Sequence, residues 1–215
     1  MEFVSALFGW GLGILGTLLL AVWSERKRKR RIVIALKCEI ERAKILLVYA
    51  YYRLEGEFGN PNREMIRWCV SMLSDMSLTG FDADIRSNLQ KWAEAPTEQI
   101  SQYYEMKRQE RFRGRSIRHI DLPFLQSKTG DIDFLKSETL DCVLNLYAKV
   151  SSYNELVDEC RQYFNMTFDS SLSEVNHAKT NQNLDDCYRK LAKHSQYAAE
   201  LADKAVTSLG RLYKT

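Results

Sequence analysis

The sequence FVSALFGWGLGILGTLLLAVW, residues 3–23, contains no charged side chain. An α-helix rises about 1.5 Å per residue, so this stretch would form a helix roughly 31 Å long. The hydrocarbon core of a bilayer is about 30 Å thick. The stretch therefore predicts one N-terminal transmembrane helix. A cleaved signal peptide is the alternative, but only Met1 and Glu2 precede the apolar run, and the bulky Trp23 ends it where cleavage needs small residues.

Six consecutive cations follow the apolar stretch: Arg26, Lys27, Arg28, Lys29, Arg30 and Arg31. Positive residues beside a span stay on the cytoplasmic side, so the N-terminus is expected outside a bacterial inner membrane and the rest of the chain in the cytosol. The same side chains can contact anionic lipid head groups, although topology alone would explain the run. We therefore expect a transmembrane anchor at 1–24, a basic run and long helix at 25–55, and a cytosolic bundle at 56–215.

Small residues recur every fourth position in the predicted span, at Ser5, Gly9, Gly13, Thr17 and Ala21. Residues four apart lie on one face of a helix. Inside a bilayer, helices associate through close backbone approach along such ridges, because lipid tails are as apolar as leucine. The ridge predicts self-association of the span and hence a homo-oligomer, although glycine is also common in transmembrane helices generally.

The net charge of +3 is unevenly distributed along the chain. Residues 24–55 carry +6 and residues 105–119 carry +4, which leaves −7 for the remainder. Two basic zones on an otherwise acidic protein indicate two anionic contacts. The membrane is the expected contact of the first zone, and an unidentified ligand or partner is the expected contact of the second.

Apolar residues repeat with helical spacing throughout, and the sequence predicts an all-α fold with two long heptad helices. The first seam continues the span without a helix-breaking residue and consists of Val33, Leu36, Ile40, Ala43, Leu47, Ala50 and Leu54. The second consists of Leu184, Tyr188, Leu191, Ser195, Ala198, Ala202, Ala205, Leu209 and Leu212. Because the second seam is small in its middle and the first is bulky, we expect the two helices to pack together, within or between subunits.

Prolines and asparagines indicate where the shorter helices begin and end. Asn60 and Pro61 form a good cap and first-turn pair for the helix that follows them. Residues 117–125 read as an extended connection, in which Pro123 is expected to prevent any helix.

The second basic zone interleaves aromatic rings with cations, as a nucleotide or short single-stranded oligonucleotide would require. Cations pair with phosphates, and aromatic faces stack on bases. The candidate ligand-binding residues are Tyr103, Tyr104, Lys107, Arg108, Arg111, Arg113, Arg115, Arg118 and His119. The alternative is a solvated basic face that contacts acidic patches of a neighbouring subunit or the membrane.

Nothing in the sequence points to an enzyme, a cofactor or a metal. No phosphate-binding loop, nucleophile elbow, dinucleotide fingerprint or metal-ligand spacing occurs. The five cysteines are not paired in CxxC motifs, and an odd number in a cytosolic domain indicates free thiols. Paired carboxylates such as Asp185 and Asp186 fit helix N-terminal charge better than acid–base catalysis.

The stretch DLPFLQSKTGDIDFLKSETLDCVLNLYAKVSSYNE, residues 121–155, resembles one seen in small bacterial membrane proteins with a single N-terminal span and a helical cytosolic part. The matching features are Pro123, the Gly130-Asp131-Ile132 loop, Leu135, Leu140, Leu144 to Tyr147, and Tyr153-Asn154. In architecture the chain is also similar to transmembrane effectors of anti-phage defence, such as the Hailong type. That resemblance implies a membrane element joined to a cytosolic sensor of nucleotide or oligonucleotide signals.

Two functions follow from these patterns. The first is an oligomeric membrane effector, pore-forming or membrane-perturbing, which is gated by a signal sensed in the cytosolic helices. The second is a membrane-tethered helical scaffold that recruits a protein partner. A ridge of small residues joined to a long helix favours the first, because movement of the cytosolic end could reach the membrane through that helix.

Overall fold

The computed structural model describes residues 2–74, 76, 81–109 and 117–212, with side chains from residue 10 onward except at 11, 12, 81 and 107–109. The described residues form seven α-helices and one 3₁₀ turn, with no strand among them, so the all-α prediction is confirmed. The helices are α1 (Glu2–Phe58), α2 (Arg63–Ser74), α3 (Phe81–Glu94), α4 (Thr97–Gln109), α5 (Pro123–Lys128), α6 (Ser137–Met166) and α7 (Glu174–Arg211), with the 3₁₀ turn at Thr129–Asp131.

Helix α1 joins the apolar stretch to the bundle without interruption. It has 57 residues, which corresponds to a length of roughly 85 Å. The prediction that one helix continues past Trp23 is confirmed, and the helix ends at Phe58, slightly beyond the expected Leu54. No described side chain before Ile32 is buried, so the N-terminal half of α1 extends beyond the core of the bundle.

Within the described side chains, no helix is both long and apolar enough to cross a membrane. The predicted span of residues 3–23 therefore stays a prediction. Part of that span, residues 3–9, 11 and 12, lies outside the described side chains.

The small-residue ridge is described only in part. The side chains of Ser5 and Gly9 lie outside the described set, whereas Gly13, Thr17 and Ala21 lie inside it. Thr17 and Ala21 are exposed, and a Cβ atom placed on Gly13 would have no neighbour within 4 Å. Within the described part of the chain, this face of α1 is therefore open.

Helices α1 and α7 form the most extensive helix–helix contact of the described residues, and they do so within one chain. Bulky side chains such as Leu36, Ile40 and Leu47 of α1 are fully buried in this seam. On α7, Ala198 and Ala202 are also fully buried, and their small side chains allow the two backbones to approach closely. The predicted pairing of the two heptad helices is confirmed. Helix α6 packs along another face of α7 and completes a three-helix core.

Helices α2 and α4 pack against α1, and α3 packs against α2. Trp68 of α2 meets Tyr51 of α1 edge to face, with ring centroids 4.9 Å apart. The cap predicted at Asn60 is wrong: α2 begins at Arg63, and Asn62 Oδ1 accepts a hydrogen bond from the Met65 amide at 2.8 Å. The Asn60 amide instead donates to the carboxylate of Glu55 at the end of α1, at 2.9 Å.

A partly buried ion pair joins α1 to α7. Lys44 Nζ lies 2.6 Å from Asp203 Oδ1, and the Lys44 side chain is only 3% exposed whereas that of Asp203 is 45% exposed. A buried ammonium without its partner is costly, but a half-exposed carboxylate can be solvated by water. Removal of Asp203 should therefore destabilise the protein more than removal of Lys44 does.

We predict that Asp203→Ala lowers the free energy of unfolding by about 3 kcal/mol, because it leaves the Lys44 ammonium buried and unpaired. Lys44→Met should cost less than about 1.5 kcal/mol, because methionine fills a similar apolar space. Urea unfolding of the full chain, followed by circular dichroism, measures both. An equal decrease in the free energy of unfolding in both variants would contradict this prediction. Lys37→Met, on the exposed side of α1, serves as the matched control.

Candidate functional site

The extended segment 117–122 carries two of the predicted ligand residues, Arg118 and His119, along the surface of α6. Asn154 of α6 holds this segment in place through both ends of its side-chain amide. Its Nδ2 donates to the Ile120 carbonyl at 2.9 Å, and its Oδ1 accepts from the Ile120 amide at 2.9 Å. The side chain thus pairs with both main-chain groups of Ile120, as a neighbouring strand would.

His119 faces α6, whereas Arg118 is exposed to solvent. The His119 Nε2 atom lies 2.8 Å from Asp158 Oδ1. Arg161 lies 3.3 Å from the same carboxylate oxygen and also donates to the Ile117 carbonyl at 3.1 Å. Asp158 therefore neutralises part of the positive charge of this surface. Arg118 is the side chain on this segment that an anionic ligand could reach.

The segment ends at α5, whose first turn is capped by a side chain of α1. The carboxylate of Glu39 accepts hydrogen bonds from the amides of Phe124 and Leu125, at 2.7 and 2.9 Å. These amides have no partner inside the helix, because the first amides of any helix are left unpaired. The segment is thus fixed to α6 by Asn154 and to α1 by Glu39.

The expectation that Pro123 prevents any helix is wrong, because α5 begins at this residue. Proline suits the first position of a helix, where its missing N–H would have no partner and its fixed φ is already helical. The residue before it, Leu122, keeps the non-helical backbone that proline imposes on its predecessor, with ψ at 63°.

The structure contradicts the proposed stacking role of Tyr104, which is only 5% exposed. Its ring packs over Gly56 of α1, where a Cβ atom would lie 2.6 Å from Tyr104 Cε1. Burial raises the pKa of the Tyr104 hydroxyl well above its ordinary value. Tyr103 lies partly buried between Trp92, 4.6 Å away between ring centroids, and Tyr104. These rings form part of the core around α4, and a base could not stack on Tyr104.

The remaining predicted ligand residues fall outside what the structure describes. The side chains of Lys107 and Arg108 are outside the described set, and so are residues Arg111, Arg113 and Arg115. Of the predicted group, the structure therefore places only Arg118 and His119 on one surface, whereas Tyr104 lies in the core and Tyr103 is partly buried against it.

The basic run after the apolar stretch has contacts within the chain as well as exposed members. Arg28 pairs with Glu25 at 3.1 Å and lies 3.8 Å from Asp131 of the 3₁₀ turn. Hydrogen bonding from Arg28 lowers the pKa of Glu25, and hydrogen bonding from Lys128 lowers that of Asp131. Arg26, Lys27, Arg30 and Arg31 are exposed and Lys29 is partly exposed. The run can therefore face lipid head groups while Arg28 connects it to the bundle.

The residues that hold the segment were not among those predicted from the sequence. On α6, Asn154, Asp158 and Arg161 are spaced by four and three residues, so they share one helix face. Such a polar stripe on one helix face can indicate a surface that binds another part of the chain. Glu39 carried no comparable signal, since it resembles any carboxylate on a charged helix.

We predict that Glu39→Gln lowers the free energy of unfolding by about 1–2 kcal/mol, because an amide cannot accept from both capped amides as a carboxylate does. Hydrogen exchange of the Phe124 and Leu125 amides should accelerate about tenfold or more. The matched control is Glu41→Gln, whose surface pair with Lys37 should contribute less than about 0.5 kcal/mol. Unchanged exchange at both amides in Glu39→Gln would show that the cap is not formed in solution.

The described residues contain no group of three or more histidine, cysteine, aspartate or glutamate side chains that could hold a metal ion. Comparisons of the chain with protein families, with curated proteins and with solved structures find no match. The geometry of α1, α5 and the segment on α6 is therefore the basis of the functional proposal.

Proposed function

We propose that the chain is a single-span protein of a bacterial inner membrane, with its N-terminus outside and the residues after Trp23 in the cytosol. Several copies would associate through their spans and form a membrane effector, pore-forming or membrane-perturbing. A signal received by the cytosolic helices would gate it, as in the transmembrane effectors of anti-phage defence.

Residues 3–23 support the membrane assignment by their composition and by their position on α1. They contain no charge, and large apolar side chains such as Trp10, Leu18 and Trp23 are at least 60% exposed. Leaving such a side chain in water instead of an apolar environment costs about 1.5–3 kcal/mol. A lipid environment removes that cost, and the cations after Trp23 fit the cytoplasmic boundary.

The observation that supports gating best is that one helix, α1, carries both the apolar stretch and the Glu39 cap. The segment with Arg118 and His119 leads directly into the capped turn of α5. A ligand that pulled this segment away from α6 would therefore act on α1 itself. Because α1 has no break between Glu39 and the apolar stretch, the displacement would reach the membrane end.

The ligand that best fits this surface is a phosphate-bearing anion. Arg118 is exposed and can pair with phosphate oxygens, as arginine does in many phosphate sites. The burial of Tyr104 removes the stacking contact that had favoured a nucleobase. A nucleotide or short oligonucleotide would therefore be held mainly through its phosphates, with Lys107, Arg108, Arg111, Arg113 and Arg115 as further candidate contacts.

The small-residue ridge supports oligomerisation of the span. Gly13 and Thr17 lie on a part of α1 where nothing in the described chain packs. A second copy of the span could therefore approach along this face with close backbone contact.

We predict that a reporter fused after Thr215 is active only in its cytosolic form, because the cations after Trp23 remain on the cytoplasmic side. Paired reporters, one active only in the cytosol and one active only in the periplasm, measure this directly. Replacement of all six cations at residues 26–31 by glutamine should reduce the cytosolic signal. Activity of the periplasmic reporter in the wild-type fusion would overturn the proposed topology.

We predict that the overproduced wild-type protein depolarises bacterial membranes, measured with a voltage-sensitive dye. Gly9→Leu combined with Gly13→Leu should remove this effect, because leucines hold neighbouring spans apart.

Thermal shift of the purified protein with nucleotides and short oligonucleotides tests for a ligand, since a ligand that binds the folded state raises the melting temperature.

Arg118→Glu should reduce the affinity of any such ligand about tenfold or more, because it replaces a charge-assisted contact by repulsion. Arg67→Glu, an exposed arginine of α2, is the matched control and should bind as the wild type does. A protein that is inert in cells and unshifted by every nucleotide would contradict the effector proposal and favour the tethered scaffold.

A further inference from the structure

The turn between α6 and α7 exposes the two most solvent-accessible large apolar side chains that the structure describes. Val175 is 77% exposed and Phe168 is 72% exposed, and Met166 beside them is also exposed. Between Cys160 and Thr180 no residue is buried. This end of the α6–α7 hairpin therefore has an apolar surface without a covering element in the described chain.

The hairpin end lies far from the apolar stretch of α1. Arg189 Nε donates to the carbonyl of Phe58, the last residue of α1, at 3.0 Å. Helix α7 begins at Glu174, fifteen residues before Arg189, so about 22 Å of this helix lies beyond the end of α1. A cytosolic molecule could reach this end while the span is in the membrane.

The exposed phenylalanine sits on an ordered turn. Asp169 Oδ1 accepts hydrogen bonds from the Ser171 amide at 2.9 Å and from its hydroxyl at 2.6 Å. Ser173 caps α7 by accepting from the Asn176 amide. The Phe168 ring packs edge to face on Phe164, with centroids 5.1 Å apart. A held aromatic ring loses little conformational entropy on binding, which is a property of aromatic anchors in protein interfaces.

The net charge of the hairpin end indicates which kind of partner could bind there. Residues 162–186 contain four carboxylates against one cation, a net charge of −3 with His177 neutral. The charge is −2 when Arg189, which pairs with Asp186 at 3.1 Å, is included. An anionic lipid surface would be repelled by this end, and so would the same end of a second copy. A basic segment with an apolar side chain would be attracted, and it could cover the Phe168 ring.

We propose that the end of the α6–α7 hairpin, residues 162–186, is a docking surface for a second protein, which binds through a basic segment that carries at least one apolar side chain. Phe168 and Val175 are the apolar anchors, and the carboxylates next to them in sequence, Asp169 and Glu174, fix the orientation of the segment. This surface is separate from the segment on α6 that carries Arg118, and it does not depend on gating.

The test uses the full chain in the cells that produce it, with p-benzoylphenylalanine as a photo-cross-linking residue at position 168. The matched control carries the same residue at position 197, because Tyr197 is an exposed aromatic elsewhere on α7. Mass spectrometry identifies the peptide joined to the cross-linker. We expect an adduct at position 168 only, with a peptide of another protein that has a net positive charge.

Charge reversal then tests the electrostatic part. Glu174→Lys should reduce the yield of the adduct at least fivefold, whereas Glu138→Lys should leave it unchanged. Both glutamates lie in the first turn of a helix, but Glu138 is on α6 at the opposite end of the hairpin. Phe168→Ser should leave the melting temperature of the protein within about 2 °C of the wild type, since exposed side chains contribute little to stability.

Four outcomes would overturn the proposal: no adduct at position 168, an adduct with lipid, an adduct with a peptide of this same chain, or an adduct with an acidic or neutral peptide. A large loss of stability in Phe168→Ser would also overturn it, because the ring would then belong to the core.

Discussion

The packing of α1 against α7 is the contact on which the other elements depend. Large side chains in the second half of α1 meet the alanines of α7, so the two backbones approach closely there. Helix α6 is positioned by its own contact with α7, α2 and α4 pack against α1, and α3 packs against α2. Because alanine side chains are short, they interlock little and do little to fix the position of one helix along the other. The Lys44–Asp203 pair supplies a specific contact that such a smooth surface lacks.

The part of the chain without regular structure is positioned by side-chain hydrogen bonds. Residues 117–122 pair with no strand, so their main-chain groups need partners from elsewhere. Asn154 supplies them in the middle, and Glu39 supplies them where α5 begins. Two polar side chains thus connect the segment with an exposed cation to α6 and to α1.

The features that could be predicted from sequence are those that depend on local spacing. The continuity of α1 and the pairing of two heptad seams follow from the positions of apolar and small residues, and the structure confirms both. The burial of Tyr104 depends on the space that Gly56 leaves, and nothing near Tyr104 in the sequence indicates it. Glu39 caps amides that are 85 and 86 residues away, a contact that periodicity cannot reveal. The start of α5 at Pro123 was missed because proline both ends helices and begins them.

The length of α1 has a mechanical consequence. About twenty-six residues of this helix lie before Arg28, which contacts Asp131 of the bundle, so the helix has an arm of roughly 39 Å beyond that contact. If α1 tilted by about 5° in its seam, its first turn would move by roughly 3 Å, the width of a water molecule. A change at Glu39 too small to disturb the packing of the bundle would therefore be magnified at the far end of the same helix.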